Sequence, residues 1–254
     1  MFPNYPYSKA LIVRLVRDAA LRRQRDFAAD ARACVERLRP PLRVLGAQRI
    51  PFHRAYVITP NHYYRPGYAA QWTALAISAC VPAPVHWIMT AELTFPGRWY
   101  ASLAMPIWRL LLHRLAGVYG FTAMPPMPPR PRDLQARAAA VHSVLRYVER
   151  TGRPIIGLAP EGGDQPGGRL CMPPAGLGRF CLLLAQRGLQ FVPVGVHENA
   201  GELTLKFGAA YDLCAVPAAT SEVRDFSAAY TVMEHIAPLL PIELRGEFRK
   251  EASG

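Results

Sequence analysis

The sequence predicts an α/β fold, a single layered domain with a largely parallel central sheet flanked by helices and preceded by an N-terminal helical segment. Three observations predict this class: the length of 254 residues, a composition of 51% hydrophobic and 19% charged residues, and short apolar runs that alternate with helical stretches. A chain with this apolar content can bury a substantial core, which argues against intrinsic disorder. Strands that alternate with helices are typical of parallel sheets covered by helices.

The strands are predicted where short apolar runs end in turn-forming residues. They are Ala55–Thr59, Pro154–Leu158 and Gln190–Val196. The first is followed by NHYYRPG at 61–67 and by a proline-free stretch at 67–78 that is compatible with a helix. Between the second and third strands, residues 176–188 show helical periodicity and end at a glycine. This order of elements is expected of one continuous α/β domain.

Proline residues indicate the expected boundaries between the segments of the chain. Residues 8–45 are rich in Ala, Arg and Leu and predict helix, broken by Pro40 and Pro41. The segment MPPMPPRPR at 124–132 contains five prolines, which exclude regular structure. We interpret it as a loop within the domain, because the helix predicted after it leads directly into the second strand. We therefore expect an N-terminal basic helical segment over 1–48 and one α/β domain over 49–254.

The net charge of +12 is confined to one half of the chain. Residues 1–132 contain 18 Lys and Arg against five acidic residues, whereas residues 133–254 contain 12 against 13. A positive field of this kind attracts phosphate groups on nucleic acid, on an anionic bilayer or on a soluble cofactor. Nucleic acid is not expected, because the sequence lacks a zinc-finger spacing, an RRM-type aromatic signature and a basic heptad region. A coding bias toward arginine, with 27 Arg against three Lys, stays open as the alternative.

Two segments are suited to a membrane interface, the first because apolar residues alternate with arginines and the second because aromatic residues are mixed with arginines. They are residues 8–25 and 98–121, and the alternative for the second is a core helix with arginines at its surface. The uncharged stretch 66–91 is interrupted by prolines, so a buried helix followed by a loop is expected there. The apolar run 10–13 is too short for a secretory signal. With five widely spaced cysteines, these features predict a cytoplasmic protein associated peripherally with the inner face of the cell membrane.

Two residues that can do chemistry follow predicted strands. His62 comes directly after the first strand and is preceded by Asn61. Glu161 lies in APEGG after the second strand, where Gly162 and Gly163 let the backbone approach a ligand closely. Reactive groups of open α/β sheets collect beyond the carboxyl ends of strands, so both are candidates for one site.

Taken together, these segments resemble the glycerolipid acyltransferase superfamily, the 1-acylglycerol-3-phosphate or lysophospholipid acyltransferases. In that family an NHxxxxD motif follows an early strand, a PEG-containing motif follows a later strand, and an apolar strand with a Pro-Val pair comes after. Here the corresponding segments are NHYYRPG at 61–67, PEGG at 160–163 and VPVGV at 192–196. The resemblance spans residues 50–212.

The resemblance implies a transfer of a fatty acyl group to a hydroxyl of a lysophospholipid or other lipid-like acceptor, as in phospholipid biosynthesis. The acyl donor would be a thioester of coenzyme A (acyl-CoA) or of acyl carrier protein (acyl-ACP), which are co-substrates. No permanently bound cofactor and no metal is expected. His62 would be the general base, and the surface that binds substrate would be formed by Asn61, Pro160, Glu161, Gly162 and Gly163. Backbone N–H groups after Gly67 or in the glycine turn are candidates to stabilise the oxyanion.

The chain departs from the family pattern at the position of the acid that orients the histidine, which is Gly67 here. Gln71 and Glu92 are the candidates to take over that role. The third motif also departs, because Gly163 and Asp164 stand where the family commonly has Thr and Arg. The arginine that follows the second motif of the family is not obvious, and Arg130, Arg132 and Arg169 are candidates for it.

These departures leave two hypotheses from different classes. The first is the acyltransferase. The alternative is a catalytically impaired descendant that acts as a binding module for lipid or acyl-CoA, and a basic protein that binds nucleic acid is a third, weaker class. Motifs of serine hydrolases, nucleotide hydrolases, zinc peptidases and dinucleotide-binding enzymes are absent from the sequence.

Overall fold

The computed structural model describes residues 2–92, 101–126, 130–216 and 220–249. These residues contain a seven-stranded sheet in the spatial order β1-β7-β6-β2-β5-β3-β4. The strands are β1 Arg43–Leu45, β2 Tyr56–Pro60, β3 His86–Thr90, β4 Thr122–Met124, β5 Ile155–Gly157, β6 Gln190–Asn199 and β7 Glu202–Phe207. Neighbouring strands are parallel except for the β6–β7 hairpin. The predicted fold class, a largely parallel sheet flanked by helices, is confirmed.

Helices precede, connect and follow these strands. In the described part of the chain the α-helices are α1 Lys9–Ala20, α2 Phe27–Val35, α3 Gln71–Cys80, α4 Ala101–Tyr119, α5 Leu134–Arg150, α6 Leu177–Ala185 and α7 Ser221–Ile236. Two of them begin at side-chain caps, since the Asp26 carboxylate accepts from Ala28 and Ala29 N–H and the Thr220 hydroxyl accepts from Val223 N–H. Such caps satisfy backbone donors that the first turn leaves unpaired.

The sheet is buried on both faces. In β2, Tyr56 and Ile58 lie in a core with α2 and α3, whereas Val57 lies in a second core with α5, α6 and α7. Every residue of β2 is buried, because alternate side chains point to opposite faces and both faces are covered. Burial of an aliphatic side chain of this size stabilises the fold by about 1.5–3 kcal/mol. The central strand β2, which leads into the candidate site, is therefore firmly packed on both sides.

The N-terminal region contains a strand as well as helices. It contains β1, which pairs in parallel with β7 at the edge of the sheet. The helix expected over 8–45 is divided into α1 and α2, because Arg22 adopts a left-handed backbone conformation (φ 54°) and Asp26 starts a new helix. The basic N-terminal segment is thus built into the same sheet as the rest of the chain.

Two further segments refine the expectations. Within the helical segment expected over 98–121, α4 begins at Ala101, while residues 98–100 lie outside the described residues. In the proline-rich loop, β4 ends at Met124 and a short 3-10 turn forms at Pro131–Asp133, with 127–129 outside the described residues. The stretch 66–91 contains a buried helix, α3, as expected, but β3 follows it. None of the helices described here is both long and apolar enough to cross a bilayer.

Candidate active site

The site lies where β2 and β5 end, at the centre of the sheet. The two strands are parallel neighbours, with Ile58 aligned to Gly157. Because parallel strands end at the same edge of a sheet, the segment 61–70 after β2 and the segment 158–168 after β5 meet there. His62 belongs to the first segment and Glu161 to the second, so the structure brings the two predicted residues together.

Asn61 fixes the start of the first segment against β6. Its side chain is completely buried, its Nδ2 donates to Val196 O over 3.0 Å, and its Oδ1 accepts from Val196 N–H over 2.6 Å. Both polar atoms of the amide are therefore engaged by backbone, and Asn61 extends the β2–β6 pairing beyond the last residue of the strand. Its predicted contact with substrate stays a prediction.

A tight turn follows the histidine. Tyr68 N–H donates to Arg65 O over 3.0 Å, with Pro66 and Gly67 at the turn positions. Gly67 has φ +82°, the left-handed value that the third position of a type II turn requires. This turn displaces the start of α3 to Gln71, four residues later than the helix-compatible stretch begins in the sequence.

Glu161 holds the backbone of His62. Its carboxylate Oε2 accepts from His62 N–H over 2.6 Å, and only 3% of the residue is exposed. Burial raises the pKa of Glu161 from 4.5 to about 8, although the hydrogen bond from the His62 backbone lowers it. The side chain is therefore mainly protonated at neutral pH, and its direct contact is with the histidine. Its predicted part in the acceptor pocket stays a prediction, as do those of buried Pro160 and of Gly162 and Gly163.

The two segments touch at a second point. Gly168 has φ +65°, and a Cβ on it would lie 2.5 Å from Tyr64 O, closer than such a contact allows. Glycine is therefore required there for the close approach of the two backbones. The segment after β5 is pinned to the segment after β2 at Glu161 and again at Gly168.

Asp164 lies between these two points and faces the imidazole. Its Oδ1 is 3.3 Å from His62 Nδ1, with 19% of the histidine side chain and 57% of the aspartate side chain exposed. The pair is at ion-pair distance but lacks hydrogen-bond alignment, since Nδ1 is a buried polar atom without a hydrogen-bond partner in the described structure. Burial lowers the pKa of His62 below 6.5, although the Asp164 charge raises it. The ring is therefore neutral at physiological pH.

A buried hydrogen-bonded cluster around Glu198, which the sequence analysis missed, supports the same segment. Glu198, at the end of β6, is paired with Arg65 through both carboxylate oxygens and also accepts from Tyr5 and Tyr63 hydroxyls. The Arg65 guanidinium lies 3.9 Å from the centre of the Phe2 ring. The sequence signal for Glu198 is its place in HENAG at 197–201, directly after the predicted strand Gln190–Val196. The cluster connects the start of the chain to the loop that carries His62.

The residues expected to replace an acid at position 67 have other partners. Gln71 Nε2 donates to the Tyr7 hydroxyl over 3.0 Å. Glu92 forms an ion pair with Arg130 over 3.0 Å. The acid that the structure places beside the imidazole ring is Asp164. In the sequence, Asp164 stands out only as a departure from the family pattern.

The backbone donors near the site are partly engaged. Gly162 N–H donates to Ala159 O over 3.3 Å, and Trp72 and Thr73 N–H donate to the carbonyls of Ala69 and Ala70. The predicted oxyanion donors are therefore not confirmed at these three positions. Among the described residues, no group of three or more His, Cys, Asp or Glu side chains is arranged to hold a metal ion.

The comparisons with known proteins include a solved structure of similar fold. No protein-family model matches the chain, and no curated protein matches it. A solved structure with a similar arrangement is the crystal structure of the 1-acyl-sn-glycerophosphate (LPA) acyltransferase, PlsC, from Thermotoga maritima. The TM-score is 0.49 at 14% sequence identity, over 91% of this chain and 81% of that chain. At this level of similarity, the function has to be inferred from the geometry of the site.

Proposed function

We propose that the protein is an acyltransferase that moves a fatty acyl group from an acyl-CoA or acyl-ACP thioester to a hydroxyl of a lysophospholipid or other lipid-like acceptor. The observation that carries this proposal is the meeting of His62 with Glu161 and Asp164 at the ends of β2 and β5. A neutral imidazole with one nitrogen beside a carboxylate has its other nitrogen on the opposite edge of the ring, where it can accept a proton. This arrangement suits activation of a hydroxyl.

The proposed reaction consumes only the two substrates, and His62 moves one proton between them. His62 Nε2 takes the proton of the acceptor hydroxyl as its oxygen attacks the thioester carbonyl. The tetrahedral intermediate then collapses with formation of the ester, cleavage of the C–S bond, and return of the proton from the imidazolium to the departing thiolate. A positioned general base of this kind contributes a rate factor of about 10² to 10⁴.

Purified protein with radiolabelled acyl-CoA or acyl-ACP and a panel of lysolipids and other lipid alcohols tests the proposal. We expect ester product from the wild-type protein and a loss of about 10²-fold or more in His62→Ala. His142→Ala is the matched control, because His142 is exposed on α5. Equal turnover by His62→Ala and wild type would remove the base from the mechanism.

The binding-module alternative gives a different result in the same samples. It is favoured by the incomplete hydrogen bonding of His62 Nδ1. Under that alternative, acyl-CoA or lysolipid raises the melting temperature of the protein while no ester forms with any donor and acceptor. Turnover that depends on His62 excludes it.

We also propose that α1 and α4 place the site at an anionic membrane surface, the inner face of the cell membrane. The two helices pack against each other. Their exposed large apolar side chains include Ile12, Val13, Val16, Ile107, Trp108, Leu110 and Leu111. Exposed arginines accompany them on both helices, at Arg14, Arg17 and Arg109. An apolar face bordered by arginines is the composition that binds headgroups and shallow acyl chains.

The two helices are held together below this face by buried charge. Arg25 is paired with Asp18 and Asp30 at 2.6 Å each, and the Tyr119 hydroxyl donates to Asp30 over 2.9 Å. These contacts join α1 and α2 to the end of α4. The helices that carry the exposed apolar residues are therefore linked through α2.

Flotation with vesicles containing phosphatidylglycerol tests the membrane proposal. We expect the wild-type protein to float with these vesicles, the double variant Val13→Ser/Val16→Ser to remain at the bottom of the gradient, and Val223→Ser on α7 to behave as wild type. Val223 is a suitable control because it is 52% exposed but lies outside the proposed face. Wild-type protein that ignores anionic vesicles would contradict the proposal.

A further inference from the structure

We propose that Asp164 is the positioning residue of His62, so that this chain takes the acid of its base from the segment after β5 instead of from position 67. The inference deepens the proposed function and rests on it for its catalytic meaning. The contact itself is a property of the folded protein and can be tested without any substrate.

Position 67 is occupied by a turn that favours glycine. Gly67 has φ +82° in the Arg65–Tyr68 turn, and a Cβ there would lie 3.4 Å from Arg65 Nη1. A side chain at this position is strained by the backbone and would meet the arginine that Glu198 holds in place. The glycine thus serves the turn, and the acid has to come from another element.

The segment after β5 delivers that acid because it is fixed on both sides of Asp164. On one side Glu161 accepts from His62 N–H over 2.6 Å, and on the other Gly168 packs against the Tyr64 backbone. Six residues separate the two contacts, so the position of Asp164 relative to the ring is set by the fold. Both contacts are made to residues within two positions of His62.

The charges around the ring leave Asp164 as the group that can face Nδ1 as a carboxylate. Glu161 is engaged with the His62 backbone and is mainly protonated at neutral pH. Arg65 is paired with Glu198. Asp164 Oδ1 lies 3.3 Å from the buried, unpartnered Nδ1, which favours the tautomer with the proton on Nδ1 and the lone pair on Nε2. The same carboxylate stabilises the imidazolium that forms when Nε2 takes a proton.

The experiment compares Asp164→Asn with wild type, Asp164→Glu and Asp212→Asn. Asn removes the charge at nearly constant shape, Glu keeps it, and Asp212 is an exposed aspartate that contacts Gln190 at the other end of β6. Two readouts are used: the titration of the His62 ring by NMR on protein labelled in histidine, and the pH dependence of kcat and KM. The His62→Ala spectrum assigns the resonance.

We expect Asp164→Asn to lower the pH at which His62 titrates and to lower kcat by about 10- to 100-fold with little change in KM. This loss is smaller than the roughly 10⁴-fold effect of the same change in a serine-protease triad, because Asp164 is more than half exposed. Asp164→Glu is expected to keep more of the rate than Asp164→Asn, and Asp212→Asn to match wild type in both readouts.

The outcomes separate this inference from the proposed function. A His62 titration that is the same in wild type and Asp164→Asn overturns the inference, whatever the activity of either protein. Full kcat in Asp164→Asn also overturns it. A wild-type protein that transfers no acyl group, with a His62 titration that responds to Asp164→Asn, overturns the proposed function and supports the pairing.

Discussion

Replacing Glu161 by Gln probes the buried carboxyl group that accepts from His62 N–H. The residue is 3% exposed, and burial raises its pKa from 4.5 to about 8. In the neutral form its carboxyl group has the shape and the acceptor oxygen that a Gln amide also offers to His62 N–H. We therefore expect Glu161→Gln to fold and to keep this contact at neutral pH.

The effect on stability follows from proton linkage. Below pH 4.5 Glu161 is neutral in the folded and unfolded chains, so its full contribution to stability is present. As the pH rises, the unfolded chain ionises first and stability falls until about pH 8, where the folded protein also ionises. This difference corresponds to at most about 5 kcal/mol, at about 1.4 kcal/mol for each tenfold change in proton affinity.

Urea unfolding measured from pH 5 to pH 8 checks this expectation. The wild-type free energy of unfolding should fall relative to that of Glu161→Gln as the pH rises through this range. His62, His86 and His197 have lowered pKa values and cost stability as the pH falls below 6.5, in the opposite direction. Their contributions are shared by both proteins and largely cancel in the difference. Glu243→Gln, a change at an exposed acid, is the control.

A difference between wild type and Glu161→Gln that stays constant from pH 5 to pH 8 would refute the reasoning. It would mean that Glu161 ionises in the folded protein as it does in the unfolded chain. The contact with His62 would then be that of an ordinary carboxylate.

Two further predictions concern the residues that fix the segments around the base. Asn61→Ala leaves Val196 N–H and C=O without their partner, and we expect a loss of about 2–4 kcal/mol in urea unfolding, with exposed Asn199→Ala near wild type. Gly168→Ala forces a Cβ against Tyr64 O, so we expect a loss of about 1–3 kcal/mol together with reduced acyl transfer. Its control is Gly152→Ala, an exposed position outside the site where a Cβ meets nothing within 4 Å. Full stability of Asn61→Ala, or full activity of Gly168→Ala, would contradict these predictions.

Much of the fold could be predicted from local sequence. The apolar runs at 55–59, 154–158 and 190–196 are the central strands β2, β5 and β6, because a strand buried on both faces has a strong and continuous apolar signal. Four strands of the described sheet were not predicted: β3, β7 and the edge strands β1 and β4. The two edge strands are three residues long and lie beside less regular chain, so they have no pattern of their own.

The candidate site was predicted in part. The approach of His62 and Glu161 followed from two strand ends and the rule that parallel strands end together. The position of Asp164 could not follow from its motif, because it depends on Gly168 packing against Tyr64, a contact between segments about a hundred residues apart. Gln71 was a candidate because it lies one helical turn after position 67, and Glu92 because it is an acid farther along the chain.

The start of the chain has a practical consequence for work on this protein. Phe2 lies on Arg65, and Tyr5 is bonded to Glu198 beside the segment that carries the base. An affinity tag at the start of the chain would therefore lie close to the segment that carries His62. Preparations tagged at opposite termini should be compared before a low turnover is attributed to the proposed chemistry.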